Sequence, residues 1–210
     1  MTQFASSSRF QPLREVEAYW QAIRAGRLVP RRSDIDPRGI ERALEFAFVA
    51  ERIAPGLGRL RIAGSHLTEL LGMEVRGMPL TAFFATDSRN RISDTLEEVF
   101  NAPATAEISL VGERGIGKPP LEARMILLPL KSDLGDISRV LGCVVTKGDI
   151  GRAPRRFEIS EVKINRLLGD AFLPDEVKET PVATGMAEAA DPFEAAPRPY
   201  LRLVHSDDSN

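Results

Sequence analysis

The chain is poor in the residues that most often carry chemistry. Its 210 residues include one cysteine and two histidines. A lone Cys143 excludes an intramolecular disulfide. With no export signal in view, the expected compartment is the reducing cytoplasm. Residues 1–12 are polar and Ser-rich, not an apolar leader. No stretch reaches the roughly 20 apolar residues that a membrane helix needs, so no membrane is expected. A formal net charge of −2 leaves no dominant field of either sign, and nucleic acid is not an expected partner.

What remains is an apolar share of 43%, enough for a real core. The length suits one ordinary domain with extensions. The pattern divides the chain into a flexible arm (1–11), a domain (12–149), an extension (150–168) and an acidic tail (169–210). Leu13, Val16, Trp20 and Ile23 recur at helical spacing, with Tyr19 widening the stripe and Gly26 as a stop. Pro30 to Pro37 is a stiff charged connector. Asp36 before Pro37 reads as an N-cap with proline at the first helical position, opening a short helix through Leu44.

A β-prone run with Phe46, Phe48 and Val49 extends to about Ile53. Pro55-Gly56-Leu57-Gly58 turns the chain, and Leu60 and Ile62 alternate with Arg59, Arg61 and Ala63. The two runs predict an antiparallel hairpin. Ser65 is placed to cap a short helix with Leu67, Leu70 and Leu71, stopped by Gly72. Leu80, Phe83 and Phe84 form an apolar cluster. Asp87 is placed to cap a longer helix carrying Ile92, Leu96, Val99 and Phe100. Three more strands are predicted around Ile108, Met125 and Val144, the last a continuous apolar run suited to a central strand. Phe157 to Leu168 is read as a helix on Ile159, Val162, Ile164 and Leu167. The tail is rich in Ala, Pro and acids and is expected to be disordered, with a β-prone segment at 200–204. That segment could add to a sheet edge of its own or a neighbouring domain.

Two strands before the helices and three after describe the PAS architecture. Tyr19-Trp20, the run Gly26-Arg27-Leu28-Val29-Pro30-Arg31-Arg32-Ser33-Asp34-Ile35-Asp36-Pro37, and Arg61-Ile62-Ala63-Gly64-Ser65-His66-Leu67 with Leu71-Gly72, Glu74 and Arg76-Gly77 resemble a bacterial family of single-domain PAS proteins. The resemblance covers about residues 13–148. It implies an α+β, PAS-like, five-stranded antiparallel sheet in the order 2-1-5-4-3, with helices on one face. It implies signalling or regulation, and carries no catalytic residues.

Each candidate site has a plainer reading beside it. His66 opens a helix in mid-domain and is the one candidate cofactor ligand. With no second ligand nearby in sequence it reads as a capping or loop histidine, and neither haem nor metal is expected. Cys143 lies in an apolar strand, where a thiol acts as a small hydrophobe rather than a nucleophile. Gly115-Ile116-Gly117-Lys118 lacks the spacing of a phosphate loop and is a turn. Arg31, Arg32, Asp34 and Asp36 are expected to pair and cap, more than to bind a partner. Arg59 and Arg61 read as a solvated sheet face or a basic strip for an acidic partner. Phe48, Leu67, Leu70, Phe83 and Leu96 are the candidate pocket lining. Leu13, Val16, Trp20 and Ile23 cover either the chain's own sheet or the contact of a homodimer, and the first use is favoured. The expected function is that of a cytoplasmic, non-enzymatic PAS-type regulator. It would act through a signalling partner, with a small ligand as a possible switch. A ligand-free adaptor, or an enzyme using Cys143 or His66, is the alternative.

Overall fold

In the computed structural model, residues 10–167 are described. Helix α1 (Gln11–Arg24) opens the chain. A 3-10 turn (Arg32–Asp34) and a longer 3-10 stretch (Pro37–Phe46) lead into β1 (Ala47–Ala54) and β2 (Leu57–Ala63). Helix α2 (Ser65–Leu71), 3-10 turns at Leu80–Phe83 and Thr86–Ser88, and α3 (Arg89–Asn101) follow. The chain then forms β3 (Ala104–Gly112), β4 (Glu122–Lys131), β5 (Ile137–Lys147) and β6 (Phe157–Arg166). Among these elements no helix is long and apolar enough to cross a membrane.

One antiparallel sheet holds all the strands in the order β2-β1-β5-β4-β3-β6. The expected five-strand order is therefore present, with a sixth strand added beside β3. That strand corrects the helix expected over 157–168. Its register with β3 shifts between Ser109 and Leu110. The resulting bulge leaves Ile159 and Val162 three residues apart, although both point to the same side. A helix would show that same spacing.

Side chains alternate between two cores. The inner core joins Phe48, Leu60, Leu127, Val140 and Val144 of the sheet to Leu67 and Leu70 of α2, Phe83, and Ile92, Leu96 and Val99 of α3. The outer core sets Leu13, Val16 and Trp20 of α1, with Ile40 and Ala43, on Val49, Ile126, Leu128, Leu141 and Cys143. Both faces are thus covered, α2 and α3 on one side and α1 on the other. Burying each large side chain of the α1 stripe contributes about 1.5–3 kcal/mol.

Local chemistry fixes the joints. Asp36 accepts from the N–H of Arg38 at 3.0 Å, as expected of an N-cap, but the stretch it opens is 3-10 and broken at Ile40. Neither Ser65 nor Asp87 caps a helix. The cap positions of α2 and α3 are Gly64 and Ser88, without a side-chain capping bond. Arg155 is fully buried and donates to the carbonyls of Ile150, Glu113 and Pro119, tying the β3–β4 loop to the segment before β6. Burial draws its pKa below the usual arginine value. The expected tail, with its 200–204 segment, lies outside the described residues, as does the arm up to residue 9.

Candidate functional site

On the outer face, α1 covers β5 and β4 but stops short of the β1–β2 edge. What it leaves is an apolar groove of about 530 Å3. Ala47, Val49 and Leu141 form its floor, with Ile62 of β2 at the rim. Ile35, Pro37 and Leu44 make one wall, and Gly64 and Ser65 close an end. Ile62 is 50% exposed and Leu44 43%, unusual for large aliphatic side chains that line one groove. The pairing of Val49 with Ile62 sets the floor, since opposed residues share a face.

The charges beside this groove do not balance. Glu51 of β1 accepts from Arg61 Nε at 2.5 Å and from Arg139 Nη2 at 3.3 Å, and Arg59 lies opposite it in the ladder. One carboxylate therefore stands among three guanidiniums, which leaves the strip next to the groove positive. Arg59 and Arg61 were identifiable in the sequence as a strand face; the groove beside them was not. It is assembled from the 3-10 stretch, β1, β2 and β5, and no periodicity links those segments.

The connector behaves as a structural device. Asp34 accepts from the N–H of Arg31 at 2.8 Å and pairs with Arg27 at 2.7 Å. The Arg31 N–H holds the Asp34 carboxyl below its ordinary pKa; burial opposes this, and Arg27 adds to the lowering. Tyr19 Oη accepts from the N–H of Asp36 at 2.7 Å, so α1 carries the connector and the groove wall behind it.

Phe48, Leu67, Leu70, Phe83 and Leu96, the expected pocket lining, come together in the inner core, each at most 1% exposed. The ring of Phe48 lies on Gly142, where an added Cβ would meet it at 2.1 Å. Leu13, Val16 and Trp20 are buried on the chain's own sheet, and Ile23 is half-buried. A homodimer through α1 would have to use the other side chains of that helix.

His66 is buried between elements. Nε2 lies 3.2 Å from the Thr146 hydroxyl, Nδ1 is 3.7 Å from a Glu69 carboxylate oxygen, and Phe46 packs edge-on with ring centroids 5.0 Å apart. Burial lowers its pKa, and the nearby Glu69 and Glu45 charges only partly oppose this. Cys143 is fully buried in the outer core, where burial pushes its thiol pKa up to about 12, with Glu15 adding to the shift. Among the described residues no three His, Cys, Asp or Glu side chains gather as a metal site would require.

A comparison with curated proteins finds no match. A family model described as "PAS domain" matches residues 8–145, which takes in α1 and all but the last residues of β5. With the sheet order, the inner helices and this match together, the chain belongs to the PAS domain family, whose general role is sensory and regulatory.

Proposed function

We propose that this protein is a regulator that acts by binding another protein in the outer groove, in the cytoplasm and without catalysing a reaction. The groove carries the reading: an apolar concavity with Ile62 and Leu44 exposed, lying beside a strip with excess positive charge. A partner segment that suits it has one or two large apolar anchors followed by acidic residues. The groups considered for catalysis favour binding over chemistry. Cys143 is sealed in the core and His66 is hydrogen-bonded at Nε2.

Helix α2 supplies a route for regulation. Ser65 closes the groove, while Leu67 and Leu70 of the same helix lie in the inner core. A small ligand that displaced α2 from inside would move the groove wall and shift the population that holds the partner.

The test is quantitative co-purification from the protein's own host. The wild type is compared with Ile62→Glu, which puts a charge in the groove, and Arg59→Glu, which reverses part of the strip. One partner retained by the wild type and lost from both variants, with thermal unfolding unchanged, supports the reading. A partner held equally by all three proteins overturns it.

A further inference from the structure

The 3-10 turn Arg32–Asp34 stands between two cavities. Arg32 and Ile35 line the apolar groove, whereas Arg31, Ser33 and Asp34 line a second recess of about 310 Å3 against the β4–β5 turn, with Arg27, Lys131 and Gly135. Three cations and one carboxylate therefore line that recess. The carboxylates nearby are already engaged. Asp34 pairs with Arg27 at 2.7 Å and accepts from the Arg31 N–H at 2.8 Å, and Asp136 accepts from the Ser132 hydroxyl. Arg27 is engaged as well, donating to the carbonyls of Ile23 and Arg24. Among the described residues the Arg31 guanidinium and the Lys131 ammonium have no ion-pair partner. The backbone nevertheless holds the two together. The Lys131 N–H donates to the Pro30 carbonyl at 2.9 Å, and Arg31 and Lys131 form a parallel β-bridge, which sets their side chains next to each other on one side. Like charges opposed in this way repel, and an anion between them relieves the repulsion.

We propose that this recess binds a phosphoryl group, with the Arg31 guanidinium and the Lys131 ammonium as its ligands and the Ser33 hydroxyl as a further donor. The planar fork of arginine suits two phosphoryl oxygens, and lysine adds a compact charge. Three cations less one carboxylate leave the lining with an excess of two positive charges, which a dianion neutralises and a single carboxylate does not. Binding here would brace the turn whose other side is the groove wall, so that its effect reaches Arg32 and Ile35. The site itself does not depend on the groove having a partner.

The experiment is an NMR titration of the isotopically labelled full chain with inorganic phosphate, against chloride at constant ionic strength, which removes general screening. Amide shifts within 31–35 and 131–136 should saturate in the millimolar range. Arg31→Gln and Lys131→Gln each remove one charge and leave the backbone bonds in place, and each should weaken binding about tenfold. Arg76→Gln makes the same change of net charge at an exposed residue outside both cavities, and should bind as the wild type does. Glycerol phosphate replaces the inorganic ion in a second arm. Tighter binding assigns the site to a phosphorylated organic ligand, and equal or weaker binding to the free ion; either supports the site when both Gln variants weaken it. Shifts that do not saturate, or that keep one midpoint in the wild type and both Gln variants, overturn the proposal and mean an adventitious ion only.

Discussion

The indole Nε1 of Trp20 donates to the main-chain carbonyl of Pro129 at 2.9 Å, inside the outer core. Proline in an interior strand normally breaks a ladder. Here the β3–β4 ladder has already ended: its last pair is Ala106 with Leu127, two residues before Pro129. An N–H is not missed at that point, and the carbonyl is satisfied by the helix instead of a strand. Trp20→Phe keeps most of the packing but leaves that buried carbonyl without its partner, at a cost of about 1–3 kcal/mol. Trp20→Ala adds a cavity and should cost about 3–5 kcal/mol. Chemical denaturation of both variants checks the order. A Trp20→Phe variant as stable as the wild type would mean that the hydrogen bond contributes nothing.

The sequence disclosed those parts of the fold whose pattern is uninterrupted. Leu13, Val16 and Trp20 recur cleanly and do form the buried stripe. Val140 to Val145 is a continuous apolar run and does form an interior strand. Strand β6 was hidden because its bulge converts a period of two into a spacing of three at Ile159 and Val162. Ser65 and Asp87 do not mark the caps because glycine or a preceding 3-10 turn takes the joint, at Gly64 and Ser88. The five residues expected to line a pocket lie together in the packed inner core, because each is on the inward face of its element. The groove escaped because it depends on where α1 ends relative to β2, and tertiary packing decides that.

Gly64 is the tightest joint of the groove. Its backbone is extended, so conformational freedom is not the reason for glycine. Space is: a Cβ there would lie 2.1 Å from the carbonyl oxygen of Glu45 and 2.5 Å from that of Leu44. Both obstacles are backbone and cannot rotate away. The Gly64 N–H also donates to Ala47 at 2.8 Å, locking the β2–α2 turn to β1. Gly64→Ala should cost about 1–3 kcal/mol from overpacking and displace the groove wall. Gly77→Ala is a useful contrast, since a Cβ there meets nothing within 4 Å although φ is +84°. A thermal melt in which Gly64→Ala is as stable as the wild type would refute the steric account.

His66 should make stability depend on pH in a window apart from the carboxylates. Its folded pKa is lowered by burial from the ordinary 6.5. Below pH 6.5 the unfolded chain takes up a proton that the folded chain resists. The stabilising contribution is therefore complete above 6.5 and declines as pH falls toward the lowered folded value. The lowered carboxyls of Asp34, Glu97 and Asp136 act in the same direction, but only nearer their own ordinary values of 3.8, 4.5 and 3.8. His66→Gln keeps a hydrogen-bonding group beside Thr146 and removes the proton uptake. Denaturation between pH 8 and pH 5.5 should show a slope for the wild type and a flat line for the variant. Parallel slopes would place the effect elsewhere.

Cys143 provides a direct probe of the outer core. With its thiol pKa pushed up to about 12 by burial, almost no thiolate exists at pH 8, and the side chain has no access to solvent. Its reaction with a thiol reagent must then wait for an opening of the structure. The rate should match that of the model thiol only in denaturant, and in buffer should track the opening of the sheet under α1. Because Trp20 packs in the same outer core, Trp20→Ala should speed labelling well before global unfolding is detected. Rapid labelling of the native wild type would show that α1 does not stay on the sheet, and the assignment of Leu13, Val16 and Trp20 to the chain's own core would fall with it.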